Sequence, residues 1–315
     1  MFHGGTNFGF MNGAMDYGKH KSVATSYGKY YDALLTEAGD YTEKYFKLRE
    51  LFRSTLAIPL PPLPDLVPKA VYPAVRPSSY LPLWEALRYL DEPVKSILPI
   101  NMENLPINNG SGQSYGFVLY ETSICSGGYL SASAQDMAQV FLNDKIIGFL
   151  NDIIQKMNIP QFTGCQLLRI LVENQGRVNY SWKMEEERKG LTGIIQLNNI
   201  PLKGFTIYSL EMKANFFKRL RSATWKPIPE GYFGPAFYRG TLRAGPSPKD
   251  TFLRLLNWTC GFVFVNGHNL GRYWNIGPQQ TLYLPAAWLH PEDNEVILFE
   301  TLLSGSEVQS EKPKL

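Results

Sequence analysis

Ahead of position 42 the acidic residues are Asp16, Asp32, Glu37 and Asp40, set among glycines, asparagines and tyrosines. Acid–base and nucleophilic work on an acetal bond takes two opposed carboxyl groups, about 5 Å apart for retention and about 6.5 to 9.5 Å for inversion. Asp32 and Glu37 are the candidate pair, but their surroundings favour structural duties, with Asp40 as a helix cap and Glu37 as loop or first-turn polarity. Glu173 follows an apolar run and reads as a buried, hydrogen-bonded carboxylate. Tyr27, Tyr30 and Tyr31 could offer rings and hydroxyls to a sugar, although packing is the commoner use of such residues. Tyr273, Trp274 and Trp288 read as packing residues. No G-x-S-x-G elbow accompanies His3, His20, His268 or His290, and glycines 4, 5, 9 and 13 lack phosphate-loop spacing. Those glycines instead let the backbone turn sharply beside a ligand or another strand.

The elements that must position these residues follow from periodicity. Asp40 to Leu56 reads as a helix opening on Asp40 and Glu43, with Tyr41, Tyr45, Leu48 and Phe52 on one face. A short apolar start, a Gly/Asn-rich loop and this helix have the order of one βα unit. Prolines at 59, 61, 62, 64, 68, 73, 77 and 82 exclude both a helix and a central strand, so an extended connector is expected there. Beyond about residue 93 short apolar runs cut by Gly, Asn and Pro predict antiparallel strands: Tyr115 to Thr122, Ala138 to Leu150, Leu167 to Glu173 and Gly261 to Val265. Gln139-Val140-Phe141-Leu142-Asn143-Asp144 with Ile147-Gly148 recurs as Phe262-Val263-Phe264-Val265-Asn266-Gly267 with Leu270-Gly271. Each copy is a strand entering a turn that favours positive φ, which suggests two similar β domains; two unrelated hairpins sharing a turn are the alternative.

Composition narrows the class. The chain has 315 residues, 44% of them hydrophobic, and a net charge of +3, enough for two or three domains with cores of their own. Its densest basic stretch, Lys213 to Lys226, reads as a solvated loop rather than a phosphate footprint, so nucleic acid is set aside. No apolar run of 18 residues is present, so no membrane span is expected, and Met1 leads into His3-Gly4-Gly5 without a signal peptide. Cys125, Cys165 and Cys260 form no C-x-x-C pair and no metal set with the histidines, so neither metal nor cofactor is expected. One disulfide with a free thiol and three reduced thiols are both open. Sequons at Asn109, Asn179 and Asn257 are glycosylation candidates and fit a secretory-pathway protein.

Five stretches carry a resemblance to the family 35 glycoside hydrolases: Met1 to Phe10; Tyr31-Asp32-Ala33 with Thr36 to Asp40; Tyr115 to Tyr120; Val172 to Tyr180; and Val265 to Trp274. They stand in the family's order along essentially the whole chain. The resemblance implies a mainly β chain: two jelly-roll, galactose-binding-like β domains preceded by the last strand and helix of a (β/α)8 barrel. The expected boundaries are 1–56 for the barrel remnant, 57–95 for the Pro-rich connector, 96–205 for the first β domain and 206–315 for the second. It also implies a β-galactosidase parent acting on galactose-terminated carbohydrate, lysosomal or secreted, whose two catalytic glutamates lie on earlier barrel strands. No catalytic residue therefore transfers to this chain, and inactivity alone is expected. A binding or interaction module without chemistry is the second reading. One substrate contact transfers, Tyr31, on a loop that departs from the family's Ser-Tyr-Asp-Tyr-Asp-Ala by running Ser26-Tyr27-Gly28-Lys29-Tyr30-Tyr31-Asp32-Ala33. A poorly folding remnant, with strand edges and one helix face uncovered, is the third reading.

Overall fold

The computed structural model describes residues 1–27, 32–56, 58–277 and 279–312. The chain is mainly β and divides into two compact units, one of residues 12–23 and 82–224, the other of residues 1–11, 24–81 and 225–315.

In the first unit a six-stranded antiparallel sheet runs in the order Val94–Ser96, Phe205–Leu210, Phe117–Ile124, Gln166–Glu173, Met137–Leu142, Lys145–Asn151. A four-stranded sheet is ordered Ile200–Pro201, Gly190–Leu197, Gly128–Gln135, Lys156–Ile159. Period-two alternation explains why they form a sandwich. Leu130, Ala132 and Ala134 of one sheet point into the core that Val118, Tyr120, Val140, Ile170 and Val172 of the other fill, while Ser131, Ser133 and Gln135 remain partly exposed. Gly13–Asp16 and His20–Ser22 form a hairpin whose first strand pairs with Arg177–Val178.

The second unit repeats the plan. Its five-stranded sheet is ordered His268–Trp274, Cys260–Val265, Asp293–Glu300, Ala236–Arg243, Ser79–Pro82, and its three-stranded sheet Thr281–Leu284, Thr251–Arg254, Gln309–Glu311. Tyr238, Val263, Val265, Val296 and Leu298 meet Leu253, Leu282 and Leu284 in the core. Every residue of Cys260–Val265 is buried, which requires cover on both faces of the sheet. Phe10 supplies it on the outer face, its ring 4.4 Å from that of Phe262.

The two repeated hairpins agree down to an irregularity. In one, register shifts between Val140 and Phe141, opposite Gly148 and Ile146; in the other it shifts between Val263 and Phe264, opposite Gly271 and Asn269. Positive φ is taken by Asn143 in the first turn and by both Asn266 and Gly267 in the second.

Three sequence expectations change. The helix spans Glu43–Thr55 and is preceded by Thr42, with no side-chain cap bond and no buried residue. Asp40 is therefore no cap; it is buried and paired with Lys69. The basic stretch after Lys213 contains a helix, Ala214–Leu220, because Phe216, Phe217 and Leu220 give it a face to bury. Residues 60–68 carry no helix or strand and are largely exposed.

Cys125 and Cys165 form a disulfide, and Cys260 is a buried thiol. The bridge joins neighbouring strands where Gln166 pairs with Ile124. Among the described residues no helix is long and apolar enough to cross a membrane. Chain-entropy arguments for a loop of 40 residues put the bridge's contribution at about 4 kcal/mol. Replacing both cysteines with serine should lower the urea midpoint of the unit carrying them; an unchanged midpoint would show that the bridge contributes nothing.

Candidate functional site

Each carboxylate of the first 55 residues has a partner of its own. Asp16 pairs with Lys183 at 2.6 Å and accepts the Gly18 N–H. Asp32 pairs with Lys44 at 2.8 Å, Glu43 with Lys47 at 2.6 Å and Glu50 with Arg53 at 2.7 Å. The Ser26 hydroxyl donates to Glu37 at 2.7 Å, and Asp40 holds the Lys69 ammonium. Lys183, Lys47 and Arg53, each as the largest cause, hold Asp16, Glu43 and Glu50 below their ordinary pKa values. That is the wrong direction for a group that must deliver a proton near neutrality. The candidate pair Asp32 and Glu37 is thus engaged by two unrelated partners.

Residues 7–10 lie as a strip against the five-stranded sheet. Gly9 N–H donates to the Asn269 carbonyl at 2.9 Å and Asn7 N–H to the Thr25 carbonyl at 2.7 Å, while the Thr25 hydroxyl donates to the Arg272 carbonyl at 2.7 Å. Phe8 packs on Trp288 with ring centres 4.5 Å apart. The strip comes so close that a Cβ on Gly271 would sit 2.4 Å from Thr25 and 3.0 Å from the Asn7 carbonyl, at a φ of +109°. Glycine is the residue that fits there.

Two buried charge centres escaped the sequence reading, which had no periodic or motif signal to find them. Lys189 is fully buried and bonds Asp136 at 2.7 and 2.8 Å, Glu187 at 2.8 Å and the Gly176 carbonyl at 2.9 Å. Its three protons are all taken, so it is a knot rather than a nucleophile. In the other unit burial pushes the Glu300 carboxyl up to about 7, although Thr259 N–H at 2.9 Å and the Tyr273 hydroxyl at 3.0 Å donate to it. Burial, with Glu300 alongside, holds the Tyr273 phenol well above its ordinary range. Glu300 has the proton affinity of a general acid but is 0% exposed, out of reach of any substrate oxygen.

Residues 1–55 match the model of "Glycosyl hydrolases family 35", residues 99–211 that of "Beta-galactosidase, first all-beta domain" and residues 235–294 that of "Beta-galactosidase, galactose-binding domain". Over its full length the chain is 69% identical to Beta-galactosidase-1-like protein 3 of Homo sapiens. The chain belongs to glycoside hydrolase family 35. It is also 56% identical to Beta-galactosidase-1-like protein 2 of Homo sapiens, again over all of the chain, and 36% identical over 90% of the chain to Beta-galactosidase of Xanthomonas manihotis. It spans about half the length of these family 35 relatives, 48%, 49% and 46% respectively.

Of the family's residues, the substrate contact transferred to Tyr31 lies outside the described residues, as does Tyr30. Tyr27 is half-buried, and a Cβ on Gly5 would meet its hydroxyl at 2.2 Å. Glu173 is buried and accepts from Gln175 at 3.2 Å. Asn109, Asn179 and Asn257 are exposed. Tyr273 and Trp288 pack within the β unit, Trp288 stacked on His268 at 4.8 Å, and Trp274 lies beside the Arg272 guanidinium at 5.2 Å. Among the described residues no His/Cys/Asp/Glu cluster could hold a metal.

Removing the cation of the Lys189 knot strands Asp136, so Lys189→Met should cost about 3 to 5 kcal/mol in chemical denaturation. Glu300 gives a pH signature. Its folded value lies above the ordinary 4.5, so its contribution to stability is complete below about pH 4.5 and is lost as pH rises through 7. Relative to Glu300→Gln, the wild-type chain should gain on the order of 3 kcal/mol between pH 8 and pH 4.5; parallel stability curves would refute the assignment.

Proposed function

We propose that this chain is the C-terminal portion of a β-galactosidase-like retaining hydrolase that removes terminal non-reducing β-D-galactose, and that on its own it does not turn over. The observation carrying this reading is the commitment of every carboxylate in the segment matching family 35 to a structural partner. A glycosidic bond needs two acids free to face it, and here they form ion pairs or accept a serine hydroxyl. The uncovered helix Glu43–Thr55, with Phe46 48%, Leu51 54% and Phe52 44% exposed, fits a last barrel helix whose apolar face packs against barrel strands supplied from elsewhere in the parent. Residue 31 would reach substrate only in that assembled barrel. We place the parent in the lysosome or outside the cell, with Asn109, Asn179 and Asn257 as glycan acceptors.

A second reading, carbohydrate binding without turnover, draws on the match of residues 235–294 to a galactose-binding domain. The two separate in one pair of measurements on the purified chain. Nitrophenyl β-galactoside should release no nitrophenol above buffer, and robust release would refute the proposal. Saturable heat on titration with methyl β-galactoside, without product, would favour the binding module.

A further inference from the structure

The unit built from residues 12–23 and 82–224 contains a cavity of about 280 Å³, near the lower end of the size range of small-molecule sites and suited to one ring. We propose that it binds the ring of a neutral, hydroxyl-rich monosaccharide at the end of a glycan. It lies outside residues 235–294, and the proposal does not depend on the hydrolase reading.

The local backbone is built to converge side chains. Glu211, Met212 and Lys213 all line the cavity, which an extended strand with alternating faces would forbid. Met212 breaks the alternation with a φ of +49°, a conformation costly for a non-glycine residue and concentrated at functional sites. Opposite them Asn108, also lining the cavity, takes a φ of +52°.

The polar groups are fixed by one another. The Asn108 amide donates to both Glu211 oxygens at 3.1 Å and accepts from the Lys213 ammonium at 3.0 Å, while Lys213 and Glu211 pair at 2.8 Å. Arg219 donates to Asp91 at 2.9 Å and to the Tyr89 carbonyl at 2.6 Å. Asp91, Glu92 and Glu211 stand in the wall against Lys213 and Arg219, an excess of one negative charge that disfavours a free anion. What remains is a third proton on Lys213, unused guanidinium protons on Arg219 and spare carboxylate lone pairs, donors and acceptors side by side. Hydroxyl groups, which donate and accept, complement such a wall. Phe216 and Ile207, both buried, form apolar lining for the C–H face of a ring. Ser209 lines the same cavity, and its hydroxyl, shielded from solvent, has no hydrogen-bond partner, a condition that a ligand hydroxyl would relieve.

The test is titration of the 15N-labelled 315-residue chain with methyl β-D-galactopyranoside, methyl β-D-glucopyranoside and inorganic phosphate, followed by amide shifts. At least one sugar should saturate with an affinity on the order of millimolar, moving amides of Ile107, Asn108 and residues 209–216, while phosphate should not. Asn108→Gly, which keeps the positive φ and deletes the amide, should weaken the sugar about ten-fold or more. Ser209→Leu, which fills the cavity, should abolish it. No saturation by either sugar, shifts confined to other residues, phosphate binding in place of sugar, or undiminished affinity in a folded Asn108→Gly chain would each overturn the proposal. The wild-type shift map decides the question if the variants fail to fold.

Discussion

The constraint on which the unit of residues 1–11, 24–81 and 225–315 depends is the close approach of two backbones at Gly271. Thr25 and the Asn7 carbonyl occupy the space that any side chain there would need, and Gly9, Asn7 and Thr25 tie the strip to the sheet by backbone and hydroxyl hydrogen bonds. That approach lets Phe10 cover Phe262 and Phe264. The strand Cys260–Val265 can consequently be apolar on both faces without exposing a hydrophobic sheet. Residues 7–10 of the segment matching family 35 thus serve as a layer of a β sandwich. This explains why two of the most specific sequence stretches, Met1 to Phe10 and Val265 to Trp274, stand far apart in sequence yet are built for each other.

The same economy governs the charges. Buried ions survive only when neutralised and hydrogen-bonded. Lys189 meets this with two carboxylates and a carbonyl, and Asp40 with Lys69. Glu300 is instead pushed by its burial to take up a proton more readily, even though backbone N–H groups donate to it. A carboxylate held this way is not free to approach a glycosidic oxygen. The cavity beside Glu211 differs in kind, because its paired polar groups retain unused donors and acceptors beside buried apolar residues.

The β architecture was legible because period-two alternation and positive-φ turn residues are local signals. The run Leu167 to Glu173 announced its strand, and Asn266-Gly267 its turn. The repeat was legible for the same reason, while its shared bulge was not, since a register shift depends on the partner strand. Asp40 was misread because capping spacing is local and the competing partner, Lys69, lies 29 residues away in sequence. The helix Ala214–Leu220 was hidden by basic residues around only two turns' worth of chain. Lys189 and the cavity were illegible because they are assembled from segments that only tertiary packing brings together.

Residues 7–10 are held as a structural layer on the β sandwich, while the helix Glu43–Thr55 of the same segment buries no residue. Amide hydrogen exchange measures this directly. The account predicts that Asn7 and Gly9 are protected to a degree comparable with Cys260–Val265 and far more than the helix amides. Exchange of Asn7 and Gly9 as fast as that of the helix would contradict it.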